Sequence, residues 1–388
     1  MFSDRLPHSL AANRLAAAVA EMQERQRSFV DLTESNPTCA GFDYPADLLA
    51  PLSGGAARRY APSPLGMRVA RAAIAREYDR HHLNVPPDRI VLTSSTSEAY
   101  SWLFKLLTNA GDDVLVPRPS YPLFDHLTRL DLVGTRPYDL DYHGAWSIDF
   151  DGVERAMTPR TRAVLLVSPN NPTGSFISRP DLDRLAGLCA ARGIALIADE
   201  VFADYELAPG AAAAAGRVSA RDDVLAFALG GLSKAVGLPQ VKLGWMAVSG
   251  PDALVDAAMR RVEIIADAYL SVSTPVQVAA AALLERGADV RRQIVARVRA
   301  NYRALQEAAA SAPSCRVLSS DGGWYAVLQV PTLESEDDLV VSLLTRDRVL
   351  THPGYFFDFA RESFLIVSLL PPSEVFADGV SRVLRHFS

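Results

Sequence analysis

The strongest restriction on the fold of this chain is a pair of short apolar segments separated by a well-delimited helix. Residues 163–168 and 194–199 are apolar runs that end in polar residues, as buried parallel strands do. Between them, Ser178 can cap a helix that accommodates Pro180 in its first turn, and Gly193 can end that helix. This order predicts a βαβ unit.

The same alternation of strand and helix signals extends along much of the chain. It runs from about residue 46 to residue 273, as a doubly wound α/β domain requires. A long helical stretch follows from Pro275 to about Ala310, with Arg291 among the arginines assigned to its polar side. With 388 residues, 49% of them hydrophobic, the chain can bury a large core and is expected to form about two domains.

Three residues that can carry chemistry follow predicted strands. Asn171 and Asp199 fall at or just beyond the carboxyl ends of strands, where open α/β sheets bind ligands. Lys234 follows the apolar run 224–229, and a lysine there can form an imine with a carbonyl cofactor once it loses its proton. Taken alone, Lys234 could be an ordinary surface lysine, and Asp199 could simply cap a turn. Their order along the chain favours a functional site.

The order and contexts of these residues resemble the pyridoxal-phosphate-dependent aminotransferases of class I/II, the aspartate-aminotransferase-like superfamily of fold type I, over nearly the whole chain. The resemblance implies that Lys234 carries the cofactor as a Schiff base. It also implies that Asp199 pairs with the pyridine nitrogen and that Asn171 bonds the phenolic oxygen. A carboxylate beside the ring nitrogen keeps it protonated, and a lysine displaced by substrate can act as a general base.

The same resemblance implies the domain organisation. We expect an α/β fold with a mostly parallel, doubly wound sheet in a large cofactor domain at residues 46–285. A smaller α+β domain is expected from both chain ends, residues 1–45 and 286–388, with strands near 324–329 and 364–370.

A site for the cofactor phosphate is predicted after residue 93. The strand at 89–93 runs into a hydroxyl-rich helix start at Ser94, Ser95 and Thr96. Backbone N–H groups and hydroxyls at a helix N-terminus suit a phosphate, and a capping role for Ser95 or Thr96 is compatible with this.

Two further phosphate contacts follow from the resemblance. Lys242 stands where relatives carry an arginine, and it supplies the charge without the bidentate fork. Gly231 stands where many relatives have a phosphate-binding serine, which leaves Ser233 as the candidate hydroxyl.

Two tyrosines match aromatic residues of the family. Tyr121 corresponds to the residue that stacks on the cofactor ring, and Tyr60 to a tyrosine that reaches the phosphate from the neighbouring subunit. Either could also be an ordinary half-buried aromatic residue. The match of Tyr60 implies a homodimer with shared active sites.

Two further departures from the family concern the cofactor and the substrate. Phe202 replaces a tyrosine whose hydroxyl bonds the phenolic oxygen in relatives. Ile366 replaces the arginine that clamps the substrate α-carboxylate, and Arg361 and Arg5 are the alternatives considered for that clamp. Arg361 differs from position 366 by an odd number, so in a continuous strand the two side chains would face oppositely.

These observations predict a pyridoxal-phosphate-dependent aminotransferase that moves an amino group between an amino acid, or an amine, and a 2-oxo acid by a ping-pong Schiff-base mechanism. The alternatives are a lyase or decarboxylase with the same cofactor, or a cofactor-binding protein without turnover. Phe202 and Ile366 favour the first alternative, whereas the joint presence of Asn171, Asp199 and Lys234 argues against the second.

Composition excludes several other classes of protein. A formal charge of −6 without a basic block argues against a nucleic-acid partner. Three scattered cysteines show no metal-ligand spacing, so we expect no metal site and a reducing, cytoplasmic location. We expect no signal peptide in the first 30 residues, and no uncharged apolar run reaches the length that crosses a membrane.

Overall fold

The structure is a computed structural model that describes residues 2–7 and 10–387. Its strands are β1 (Val30–Asp31), β2 (Ile90–Thr93), β3 (Asp113–Arg118), β4 (Gly134–Tyr142), β5 (Trp146–Ile148), β6 (Thr161–Val167), β7 (Ala195–Asp199), β8 (Ala226–Gly231), β9 (Gly244–Ser249), β10 (Arg316–Val317), β11 (Tyr325–Gln329), β12 (Val349–Leu350), β13 (His352–Pro353) and β14 (Phe364–Ser368). Its helices are α1 (Arg14–Glu24), α2 (Arg68–Asp79), α3 (Thr96–Leu107), α4 (Leu123–Leu130), α5 (Phe150–Ala156), α6 (Arg179–Arg192), α7 (Ala211–Ala214), α8 (Leu232–Ala235), α9 (Asp252–Asp267), α10 (Thr274–Ala310), α11 (Glu336–Ser342) and α12 (Ser373–His386).

The central element is an eight-stranded sheet with the strand order β2-β9-β8-β7-β6-β3-β4-β5. The pairs from β8 through β7, β6 and β3 to β4 are parallel, whereas β9 runs antiparallel to both β8 and β2, and β5 antiparallel to β4. The predicted α/β class with a mostly parallel sheet is therefore confirmed.

The predicted βαβ unit is present, with β6 and β7 paired in parallel across α6. The Ser178 hydroxyl accepts a hydrogen bond from the Asp181 N–H at 3.1 Å, which satisfies an otherwise free donor of the first turn. Gly193 ends the helix in the left-handed region at φ +66°, where a residue with a Cβ atom would be strained. Local sequence thus determines both ends of this crossover.

The large sheet is buried on both faces. Successive residues of β7 contribute to different hydrophobic clusters, Leu196 to one face and Ile197 to the other, because strand side chains alternate. Phe227 and Ala228 of β8 divide in the same way. Double-sided burial explains why these strands are continuously apolar in sequence.

The two ends of the chain form smaller sheets. β10, β11, β14 and β13 make an antiparallel four-stranded sheet, and β1 pairs in parallel with β12.

The long helix predicted from Pro275 to about Ala310 is confirmed as α10. The domain boundaries at residues 46–285, 1–45 and 286–388 stay a prediction. Among the described helices, none combines the length and the apolar composition needed to cross a membrane.

One assignment on α10 was wrong. Arg291 is buried rather than solvated, and its guanidinium donates to the Glu77 carboxylate at 3.1 Å and to the Ala235 carbonyl at 3.3 Å. The helical spacing placed it on a polar face. In the folded chain that face meets α2 and the loop after Lys234, where a paired guanidinium can be buried.

The close approach of α10 to this loop can be tested with two glycines. A Cβ at Gly287 would lie 2.6 Å from the Val236 Cβ, whereas a Cβ at Gly187, on the exposed side of α6, meets no atom within 4 Å. Gly187→Ala should raise the free energy of unfolding by about 0.5–1 kcal/mol through helix propensity. Gly287→Ala should lower it by about 1 kcal/mol or more through overpacking. Urea unfolding of both variants checks this, and equal stabilisation by the two substitutions would contradict the close contact.

Candidate active site

The residues that the sequence singled out lie along one edge of the large sheet, in the order of its strands. This is the edge where the parallel strands end, and antiparallel β9 begins there. The strands β2, β9, β8, β7, β6 and β3 present at this edge, in turn, Ser95, Lys242, Lys234, Asp199, Asn171 and Tyr121. The site is therefore a product of strand order, which brings together residues up to 147 positions apart (242 − 95).

These residues surround one cavity of about 280 Å³. It is lined by Ser35, Ser95, Thr96, Ser97, Tyr121, Val167, Asn171, Asp199, Val201, Phe202, Gly231, Ser233, Lys234, Lys242, Leu243, Gly244 and Tyr325. Of the predicted site residues, Ser94 and Tyr60 do not line it. Ser94 precedes the N-cap of α3, and its N–H donates to the Glu98 carboxylate.

Lys234 lies in the single turn α8, directly after β8. Burial lowers the pKa of its amine, because the charged form loses hydration in the interior. The amine lies 5.0 Å from the ring centre of Trp324 and 5.9 Å from that of Phe202. The Tyr205 hydroxyl donates to the Lys234 carbonyl and so holds the backbone that carries the amine.

Asp199 is the last residue of β7, and only 7% of it is exposed. Its carboxylate accepts hydrogen bonds from the Val201 N–H at 3.1 Å and from the Tyr100 hydroxyl at 3.4 Å. Desolvation nevertheless raises the pKa of Asp199 to about 6, against the lowering effects of these donors and of the Lys234 charge. The carboxylate has capacity for a further, cationic partner.

The two central groups are shifted in the direction of their neutral forms. Each would be favoured in its charged form by the other, yet burial outweighs that attraction for both Asp199 and Lys234. A ligand that brings a protonated nitrogen to Asp199 would supply the missing counter-charge. For a ligand that reacts with a neutral amine, burial favours that form at Lys234.

The β2 end of the cavity suits an anion. Ser95 is the N-cap of α3, and its hydroxyl accepts from the Glu98 N–H at 3.2 Å; Thr96 and Ser97 follow in the first turn. Lys242 adopts a left-handed backbone at φ 58°, a conformation that side-chain-bearing residues seldom adopt and that concentrates at ligand sites. A Cβ at Gly244 would lie 2.8 Å from the Ser95 carbonyl carbon, so this glycine permits the close approach of β9 to the helix start.

The β6 and β3 end of the cavity offers an amide and an aromatic ring. Asn171 is 7% exposed, and its Oδ1 atom is buried without a hydrogen-bond partner, so the side chain retains capacity for a ligand. Tyr121 is 40% exposed, and Phe124 packs against it edge-on. An aromatic ligand ring at this end would meet the Tyr121 side chain.

Sequence reasoning missed several lining residues. Ser35 and Tyr325 come from the chain ends, on the N-terminal segment and on β11, and Trp324 stands behind Lys234. Ser35 and Tyr325 do not lie beside any of the sequence motifs that predicted the site. Only the packing of the small sheet against the large one brings them to the cavity. Ser97 could have been identified, since it directly follows the hydroxyl run at Ser95 and Thr96.

Tyr60 is 73% exposed and lies in a different cavity, of about 360 Å³, together with Trp102 and the segment 270–275.

Ile366 is fully buried in β14, opposite Val327 of β11 and His352 of β13. Position 366 is therefore part of an apolar cluster. Within the described residues, no group of three or more acidic, histidine or cysteine side chains could hold a metal ion.

Comparison with known proteins gives the family. A family model described as "Aminotransferase class I and II" matches residues 47–376. The chain belongs to the class I and II aminotransferases. Glutamate-pyruvate aminotransferase AlaA of Escherichia coli K12 is 25% identical over 384 residues, covering 95% of this chain and 92% of that protein. Human tyrosine aminotransferase is 24% identical over 387 residues, covering 96% and 84%.

Solved structures of aminotransferases share the fold. Alanine aminotransferase from Pyrococcus furiosus superposes with a TM-score of 0.90 at 23% identity, covering 100% of this chain and 99% of that one. A mutant of Thermus thermophilus aspartate aminotransferase gives a TM-score of 0.84 at 23% identity, with 99% of both chains covered. The predicted fold type is thereby confirmed.

Members of this family are enzymes that use pyridoxal phosphate. The cavity residues fit that cofactor on the chemistry of their side chains. The helix start with its three hydroxyls and Lys242 suits the phosphate, and the partnerless Asn171 Oδ1 and the Tyr121 ring suit a polar aromatic group. The desolvated Asp199 suits a protonated ring nitrogen, and the Lys234 amine suits an aldehyde.

The raised pKa of Asp199 predicts a pH-dependent cost of stability in the cofactor-free protein. Since the folded pKa of about 6 exceeds the ordinary value of 3.8, the native state holds its proton more tightly than the unfolded chain. The cost is absent below pH 3.8, grows as pH rises towards 6 and is fully present above 6. Asp199→Asn should therefore be more stable than wild type by up to about 3 kcal/mol at pH 8, with the difference vanishing near pH 4. Denaturant unfolding at both pH values measures this, and a pH-independent difference would show that the carboxyl is not shifted.

Proposed function

We propose that this class I and II aminotransferase moves an amino group from an amino acid or an amine to an oxo compound such as a 2-oxo acid, by a ping-pong Schiff-base mechanism. The observation that carries the proposal is the pair of desolvated groups, Lys234 and Asp199, at adjacent strand ends of one cavity. The relatives named for glutamate, pyruvate and tyrosine support amino-group transfer as the reaction type.

When bound, pyridoxal phosphate supplies an aldehyde for covalent attachment and an aromatic ring that accepts electrons. Lys234 would form that attachment, because its lowered pKa leaves the amine available as a nucleophile. With a substrate amine in its place, Nζ would be free to take the proton of the amino-bearing carbon and to pass it on, not back to that carbon, as amino-group transfer requires. Asp199 would hold the proton on the ring nitrogen.

The remaining predicted contacts position the cofactor in this proposal. Ser95, Thr96 and Ser233 would donate hydroxyls near the phosphate, and Lys242 would neutralise part of its charge. Ser94 would make no direct contact with the phosphate, since it does not line the cavity and its N–H donates to the Glu98 carboxylate. Asn171 would contact the phenolic oxygen beside Tyr121. Phe202 lines the cavity without a hydroxyl, and elimination or decarboxylation remains the competing outcome for the same cofactor.

The proposal also includes a homodimer. Tyr60 is exposed and lies outside the cavity of its own chain, so a contact between Tyr60 and the phosphate requires a second subunit. Tyr269 and Ile264, also largely exposed, belong to the same part of the chain as the wall of the Tyr60 cavity and provide apolar surface for such an interface. We further propose a cytoplasmic location, which the three cysteines without disulfide bonds support.

The site assignment can be tested by chemical trapping, because the chain has three lysines, Lys105, Lys234 and Lys242. Borohydride reduction of the cofactor-loaded protein should attach the cofactor to Lys234, as read by peptide mass spectrometry. Lys234→Ala should lose the trapped product and about 10²–10⁴-fold of the transamination rate. Lys242→Ala should keep the trapped product and weaken cofactor affinity about 10- to 100-fold.

Lys105→Ala is the matched control, because this lysine pairs with Asp131 on the surface, and it should change neither property. Cofactor trapped on Lys242 would contradict the assignment. Products of elimination or carbon dioxide release, without formation of a new amino compound, would favour the competing chemistry.

The homodimer with shared sites can be tested by complementation. A Tyr60→Ala chain and a Lys234→Ala chain should each be weakly active, since one lacks the donated tyrosine and the other the reactive amine. After subunit exchange, each mixed dimer contains one site in which both residues are intact and one site that lacks both. Random pairing of equal amounts makes about half of the dimers mixed, so activity should rise towards roughly a quarter of the wild-type value. No recovery despite demonstrated exchange would show that each site is built from one chain.

A further inference from the structure

The charges that line the cavity leave none for a substrate carboxylate. Lys234, Lys242 and Asp199 are the charged residues among its described lining. The proposed function, on which this inference rests, assigns Lys234 to covalent attachment, Lys242 to the phosphate and Asp199 to the ring nitrogen. Within one subunit, a substrate group next to the reacting carbon therefore meets neutral side chains.

The wall contributed by the chain ends is neutral. Ser35 and Tyr325 present hydroxyls to the cavity, and burial raises the pKa of Tyr325 to about 12, so its phenol keeps its proton at physiological pH. Phe202 lies between the two sheets, edge-on to Tyr325 and to Trp324. These groups can hydrogen-bond or pack against a neutral substituent, and none supplies a positive charge.

The layer behind Tyr325 is apolar as well. Tyr325 packs against a cluster of Leu318, Val327, Phe357 and Ile366, all of them nearly or fully buried. Ile366 stands on β14, one of the two inner strands of the small sheet, between Val327 and His352 in register. Burial lowers the pKa of His352, so the one titratable side chain in this row is kept neutral.

Neither arginine that the sequence suggested as a substitute clamp reaches the cavity. Arg5 is exposed, and its guanidinium donates to the Leu130 carbonyl at 3.5 Å. Arg361 is exposed on the segment before β14 and is absent from the cavity lining. A carboxylate bound beside Tyr325 would thus be desolvated without a counter-ion from its own subunit, which is strongly unfavourable.

We propose that the natural amino donor is a primary amine whose amino-bearing carbon carries a neutral group, apolar or hydroxylated, in place of a carboxylate. In the overall transfer, the donor RXCHNH₂, in which X is hydrogen or the neutral group, leaves as the aldehyde or ketone RXC=O, and the acceptor R′R″C=O leaves as the amine R′R″CHNH₂. The donor carbon is oxidised by two electrons and the acceptor carbon is reduced by two. Because both half-reactions use the same cavity, the acceptor is expected to be an aldehyde or ketone in preference to the matched 2-oxo acid.

The test is a single-turnover half-reaction of the cofactor-loaded enzyme, followed by the absorbance of the bound cofactor. The donors form matched sets that differ only at the carbon bearing the amino group: L-phenylalanine, L-phenylalaninol and phenethylamine, and L-leucine, L-leucinol and isoamylamine. In each set, the amino alcohol and the amine both lack the carboxylate. Each should react with a second-order rate constant roughly 10- to 100-fold higher than that of the amino acid.

The outcomes separate this inference from the proposed function. Amino acids that react at least tenfold faster than their neutral counterparts would overturn the inference while leaving amino-group transfer intact. Loss of such amino-acid activity in Arg361→Ala or Arg5→Ala would identify the clamp that this inference denies. Absence of any half-reaction across a broad panel of amines and amino acids, in protein shown to hold the cofactor, would overturn the proposed function together with the inference.

A pair of substitutions at Ile366 adds a gain-of-function arm. Ile366→Arg should shift the ratio of rate constants, amino acid over amine, upwards by roughly tenfold or more, because it places a guanidinium behind Tyr325. Ile366→Met changes the packing without adding charge and should leave the ratio unchanged. The comparison of amino acids with amines in the wild-type enzyme does not depend on these variants. Thermal unfolding shows whether each variant is folded. An unshifted ratio in a folded Ile366→Arg protein would contradict the placement of the carboxylate site beside this cluster.

Discussion

The structure depends on keeping two ionisable groups, Asp199 and Lys234, out of water at the ends of adjacent strands. Both pKa values move in the direction of the neutral forms, so the free protein holds these groups at a cost that the surrounding fold must offset. Parallel pairing of β7 with β8 places the two chain positions side by side. A cofactor that brings a protonated nitrogen and an aldehyde would relieve both groups at once.

The lysine is positioned by its backbone more than by contacts of its amine. Tyr205 donates to the Lys234 carbonyl, and Arg291 of α10 donates to the next carbonyl, that of Ala235. Gly287 of the same helix allows α10 to lie against Val236. The long helix therefore supports the short turn that carries the reactive amine, which leaves Nζ itself free to change partners.

The cavity also joins two sheets of different chemical character. The large sheet contributes the charged and hydroxyl-bearing groups, because its strand ends converge with the start of α3. The small sheet and the N-terminal segment contribute Tyr325 and Ser35, with an apolar cluster behind them. This division separates the side of the cavity suited to a charged cofactor from the side suited to a neutral substrate group.

The sequence by itself determined the α/β class, the βαβ unit with its caps at Ser178 and Gly193, and the order of Asn171, Asp199 and Lys234, because these features are written in local patterns and in strand-end positions. Only the tertiary structure decided that Arg291 is buried, that Ser94 does not line the cavity, and that Ser35 and Tyr325 do. It also decided that Trp324 lies beside the Lys234 amine. The physical reason is that periodicity records which residues leave water, whereas the partners that they meet depend on how the two sheets pack. Position 366 shows the limit: the sequence indicated that an arginine was absent, and packing showed a closed apolar cluster in its place.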